Sequence, residues 1–125
     1  SGAAQGDVLY YNGSAWVLQN GPVIRWSIGN NGASDYTFSG PGFPTATNDP
    51  VLYLMRGHTY VLVNTTGTAH PFEIRVSNGG SPYTSGVSGS TSGTQTFTVP
   101  MDAPSTLYYQ CTKHSGMGNT INIVS

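Results

Sequence analysis

Charge is what this chain most lacks. Only 7% of its 125 residues are Asp, Glu, Lys or Arg, against about 25% in an average soluble domain, and the formal net charge is −1. Phosphate recognition needs clustered Lys and Arg, and no basic stripe is present, so no nucleic-acid partner is expected. Long apolar runs are missing too. None approaches the ~20 residues that cross a bilayer, and no membrane partner is expected. The shortage of charge is not a mark of disorder, because eight Tyr, four Phe and two Trp can fill a core. A single cysteine, Cys111, rules out an internal disulfide and leaves a buried thiol, a reactive thiol or a metal ligand. The chain opens on Ser1-Gly2-Ala3-Ala4, with no initiator Met, charged leader or apolar leader segment, and reads as a processed chain or a piece of a longer one.

What remains is Gly, Ser, Thr, Val and Tyr, the composition of strands and turns. Two units are expected. Residues 1–21, "SGAAQGDVLYYNGSAWVLQNG", hold an Asn12-Gly13 turn between Val8–Tyr11 and a second apolar run around Trp16 and Val17, a hairpin signal. A lone hairpin is marginal in water, so this segment needs a neighbour or further copies of the chain, and a homo-oligomer through residues 1–21 is expected. From residue 22 to 125 the pattern predicts about eight short strands: 23–28, 35–39, 50–55, 59–64, 72–77, 95–100, 106–111 and 120–124. The cleanest alternation puts Phe72, Ile74 and Val76 inward. Phe97 and Val99, then Leu107, Tyr109 and Cys111, likewise share faces. The Gly/Ser/Thr-rich stretch 79–94 is read as an excursion that adds nothing to the core. Short strands with Gly/Pro turns and no helical period predict an all-β, Greek-key β-sandwich.

The chemistry concentrates in "YYQCTKHSGMG". Cys111, His114 and Met117 stand three residues apart where a strand ends and a loop begins, and Ser115, Gly116 and Gly118 let the backbone bend. In such a loop the three side chains can turn toward one point. Thiolate, imidazole and thioether form a soft set that suits copper better than magnesium or calcium, and a Cys with two His and a weak axial Met is the blue-copper arrangement. The second imidazole is assigned to His70, in "GTAHPFEI", just before the cleanest strand.

These residues resemble the cupredoxins, the family of plastocyanin and amicyanin: an upstream His, then Cys, two residues, His, a short gap and Met near the C-terminus. The resemblance implies one copper ion, with His70, Cys111 and His114 as equatorial ligands and Met117 as the axial one. It also implies one-electron transfer, with His114 as the electron port where a redox partner docks. One position departs. The residue after the upstream His is Asn in the familiar members and Pro71 here, so the tie between ligand loops must come from elsewhere, with Thr112 or Ser115 as candidates. The stretch "GDVLYYNGSAWV" is similar to segments of bacteriophage tail-fibre and other virion structural chains and of some adhesins. That implies an extracellular, virion-borne or periplasmic setting.

Competing readings are weaker on composition. Three His cannot supply the trinuclear cluster of a multicopper oxidase. A zinc site from Cys111, His58, His70 and His114 has only one close ligand pair, where structural zinc usually shows two. A Cys–His hydrolase needs an oxyanion hole and an orienting group that nothing marks, so no enzyme is expected. The remaining alternative is a copper- or zinc-stapled structural or adhesive domain. His58 is read as a surface residue, and Lys113 as pointing to solvent.

Overall fold

The computed structural model describes residues 9–11, 16–18 and 22–125, with side chains from residue 22 onward. The fold is a β-sandwich. Strands β1 (Leu9–Tyr11) and β2 (Trp16–Leu18) pair antiparallel, with Tyr11 opposite Trp16. The Asn12-Gly13 turn expected between them lies outside the described residues. The remaining ten strands are β3 (Val23–Asn31), β4 (Asp35–Gly40), β5 (Phe43–Asn48), β6 (Leu52–Met55), β7 (Thr59–Asn64), β8 (Phe72–Arg75), β9 (Val87–Gly89), β10 (Thr94–Thr98), β11 (Thr106–Cys111) and β12 (Gly118–Val124). They form a six-stranded sheet in the order β5-β4-β3-β7-β10-β9 and a four-stranded sheet in the order β6-β12-β11-β8. The chain crosses between sheets at nearly every turn from β5 to β11, which is what places strands distant in sequence side by side. Among the described residues no helix is long and apolar enough to cross a membrane.

Alternation decides which side chains meet between the sheets. On β6, Leu52 and Leu54 point in while Tyr53 and Met55 point out. On β7 the inward set is Tyr60, Leu62 and Asn64, and on β12 it includes Ile121 and Ile123. Phe97, Val99, Leu107, Tyr109 and Cys111 are buried as their spacing requires. Each large side chain so placed contributes about 1.5–3 kcal/mol of burial.

Three expectations are corrected. The body has ten strands rather than eight, because β5 and β9 were missed. Both lie at sheet edges. β5 carries Pro44 and is exposed over most of its length, so it lacks an alternating apolar face, and Pro is tolerated there because an edge strand need not donate on both sides. The stretch 79–94 does add to the core: Tyr83 and Val87 pack against it, and the Tyr83 ring meets Phe97 at 6.1 Å. Val76 is not inward but 46% exposed. The strand ends at Arg75, and Val76 already belongs to a reverse turn closed by its N–H on the Ser81 carbonyl at 3.0 Å.

One pole of the sandwich gathers the ends that matter. The start of β8, the end of β11 and the start of β12 lie together, since Phe72 pairs with Cys111 and Gln110 with Gly118. The end of β7 closes over them through Asn64. His58 precedes β7 at the other pole, six strand residues away, or about 20 Å of extended chain.

Candidate metal centre

Cys111 is the last residue of β11 and is fully buried. Its Sγ lies 3.4 Å from Nδ1 of His114 and 3.8 Å from Nδ1 of His70, and the two Nδ1 atoms are 3.3 Å apart. The circle through these three atoms has a radius of about 2 Å. An ion at its centre would sit at nearly the metal–nitrogen distance of about 2.0 Å and close to the metal–sulfur distance of about 2.3 Å. Donor chemistry and spacing therefore fit a single transition-metal ion. Among the described residues this is the one grouping of His, Cys, Asp and Glu close enough for that role. His58 is not part of it, so the set of three imidazoles with Cys111 does not form.

The loop from Cys111 to Met117 is held by its own backbone. Met117 N–H donates to the His114 carbonyl at 3.1 Å, and Cys111 N–H donates to the Met117 carbonyl at 2.9 Å. This turn brings Met117 back to the pole with its side chain fully buried. Gly118 follows at φ 147°, a conformation that favours glycine. His114 is partly exposed while His70 is only 8% exposed. Burial, and then the neighbouring charges of His114 and Lys113, hold the His70 pKa below its ordinary value. The neutral imidazole is thereby favoured, and that is the form that binds metals.

The tie that Pro71 cannot supply comes from the opposite sheet. The His70 carbonyl accepts from Tyr36 Oη at 2.9 Å, Asn64 Nδ2 at 2.9 Å and Thr66 Oγ1 at 3.0 Å. Asn64 Nδ2 also reaches the Thr91 carbonyl at 3.0 Å. Tyr36 Oη reaches the Pro71 carbonyl as well, and Thr112 contributes through its backbone N–H to Pro71 at 3.1 Å. Ser115 is exposed and takes no part among the described hydrogen bonds. Lys113 is exposed, yet its Nζ donates to the Thr68 carbonyl at 2.8 Å and so straps the two ligand loops together. Asn64 could have been found in the sequence, since it continues the inward face of Tyr60 and Leu62 and is polar where a core position is expected. Asn64 is buried although its neighbour Thr65 is exposed.

Asp49 braces the same pole. Its carboxylate accepts from the Tyr36 N–H at 2.9 Å and the Gly118 N–H at 3.2 Å, and its carbonyl accepts from Asn119 Nδ2 at 2.8 Å. Burial pushes its pKa up to about 6, with Asp35 adding to the rise and the Tyr36 and Gly118 N–H groups opposing it. An unfolded Asp titrates near 3.9. The folded chain therefore holds this proton more tightly. The stability that protonated Asp49 contributes is full below about pH 4 and is lost as pH rises through about 6. A carbon-detected NMR titration of the Asp49 carboxyl is expected to show its midpoint near 6; a midpoint near 4 overturns the assignment.

A thiol and two imidazoles brought together at one pole of an all-β sandwich form a candidate site for one metal ion. No family model and no curated protein matches the chain. Solved structures of rusticyanin substitution variants are similar to it. One has 19% identity and a TM-score of 0.46 over 95% of this chain and 88% of the other. A second has 20% identity and a TM-score of 0.44 over the same shares.

Proposed function

We propose that this chain binds one copper ion through His70, Cys111, His114 and Met117 and acts as a one-electron carrier rather than an enzyme. The observation that supports this most is the triangle of one sulfur and two imidazole nitrogens, with a buried methionine three residues beyond His114. A thioether adds little for zinc, which prefers thiolate, imidazole and carboxylate, whereas thiolate, imidazole and thioether together suit copper. Bound copper would supply a Cu(I)/Cu(II) couple. The residues supply rigidity: three side-chain donors on the His70 carbonyl, a strand-anchored Cys111 and a self-bonded loop keep the donor atoms in place when charge changes, which lowers the reorganisation that slows electron transfer.

The partly exposed edge of His114 is the surface at which a redox partner would dock. With so few charges, docking by apolar contact fits the chain better than electrostatic steering. The setting proposed is extracellular, virion-borne or periplasmic, with residues 1–21 as a segment for self-association. The test is to add Cu(II) to the metal-free chain and record visible absorption and the copper EPR spectrum. An intense thiolate-to-copper band with narrow hyperfine splitting is expected. Zinc bound at one equivalent, with no such band on copper addition, overturns the reading.

A further inference from the structure

Aromatic rings form a continuous cluster through the core beside the candidate metal centre, and a path of five of them crosses it, with Phe38 also reaching Phe72 directly at 6.1 Å. Phe72 is the register partner of Cys111, so the two side chains are neighbours on the inward face. From Phe72 the ring centroids step 5.3 Å to Tyr109, near parallel at 18°. They continue 5.3 Å to Phe38, 5.8 Å to Trp26 and 5.4 Å to Tyr60, stacked at 28°. Tyr60 lies near the start of β7 at the far pole. Its hydroxyl oxygen accepts the Met55 N–H at 2.8 Å, and Met55 is 37% exposed. The file thus runs from the Cys111 sulfur to one residue beneath the opposite surface.

Packing alone explains apolar rings but is indifferent to which of them carry a polar edge. Here the polar edges are each settled. Trp26 Nε1–H donates to the Pro41 carbonyl at 2.7 Å, and Tyr109 Oη–H donates to the Pro50 carbonyl at 2.6 Å. Indole and phenol are the side chains that lose one electron most readily apart from thiols; Trp26 stacks directly on Tyr60, and Phe38 bridges Trp26 to Tyr109 without being oxidised.

We infer that Tyr60, Trp26, Phe38, Tyr109 and Phe72 form a relay that carries oxidising equivalents from the far pole to the Cys111 centre. The inference rests on the copper reading above. A one-electron oxidant at the surface removes one electron from the Trp26 indole and is itself reduced by one. The indole keeps its N–H proton on the Pro41 carbonyl. One electron then returns along Phe38, Tyr109 and Phe72 by way of the Cys111 sulfur. Copper held by Cys111 and its neighbours would supply that electron, so Trp26 would be restored with no bond made or broken.

The test uses the full chain carrying Trp16→Phe, which leaves Trp26 as its one indole. A photogenerated ruthenium(III) polypyridyl serves as the oxidant, and the indole radical is followed by transient absorption in the metal-free and the Cu(I)-loaded protein. The expected result is a radical lifetime at least tenfold shorter in the loaded protein, with the thiolate-to-copper band rising at the same rate. Phe38→Leu should lengthen that lifetime toward the metal-free value. Equal lifetimes in the two forms overturn the relay without any substitution in the file, so a variant that fails to fold does not obscure the result. A static spectrum of each sample after chemical oxidation separates the two readings. If the thiolate band is present and the lifetimes are equal, only the relay falls. If the band is absent, the copper reading falls and the relay with it.

Discussion

Copper is expected to raise the melting temperature of the native chain, and Cys111→Ser to abolish that rise. A ligand that binds only the folded state stabilises it by about 4 kcal/mol at a free concentration 1,000 times its Kd, and each kcal/mol moves the melting temperature of a domain this size by about 3–6 °C. The native protein should therefore gain about 12 °C or more on loading. Serine keeps the shape of the side chain and replaces a soft thiolate by a hydroxyl that stays protonated and binds copper poorly. The metal-free variant should lose only about 1 kcal/mol, because the new hydroxyl is buried but sits beside two imidazole nitrogens that can hydrogen-bond it. Calorimetry of both proteins with and without copper gives the answer. An undiminished rise in the serine variant would mean that the thiol is not a ligand.

Gly118→Ala should cost about 2–6 kcal/mol without any change in the chemistry of the ligands. Gly118 holds φ 147°, and a Cβ built there collides with the Tyr109 carbonyl and stands 2.9 Å from the Gln110 Cα. Both obstacles are backbone of the neighbouring strand, which cannot swing aside as a side chain would. Backbone strain of about 1–3 kcal/mol adds to an overpacking cost of about 1–3 kcal/mol. The damage falls on the centre, because Gly118 follows Met117 and its N–H is one of the donors that hold Asp49. Copper affinity should fall with stability. Gly116→Ala in the same loop is the control: nothing lies within 4 Å of its added Cβ and its φ is not positive, so a change within about 0.5 kcal/mol is expected. Urea unfolding of the two variants distinguishes the sites, and equal midpoints would refute the steric account.

The amino-acid sequence by itself determined whatever depends on near neighbours. Alternation along single strands was enough to turn Ile74, Phe97, Val99, Leu107, Tyr109 and Cys111 to one buried face, because successive side chains on a strand must face opposite ways. Cys111, His114 and Met117 were legible as a group because one tight loop carries all three, and the chemical softness of their atoms belongs to the residues themselves. His70 was reachable as the imidazole preceding the cleanest strand, yet its distance to Cys111 was not. The tertiary structure alone decided the rest. Strands β5 and β9 exist because a sheet edge offered them partners, not because their own pattern demands it. Val76 turns outward because a reverse turn ends its strand. The anchoring of His70 by Tyr36, Asn64 and Thr66, the bracing by Asp49 and the file of rings from Phe72 to Tyr60 all join residues far apart in the chain. Such contacts are set by which strands the crossings between the two sheets bring together, and no local preference encodes that.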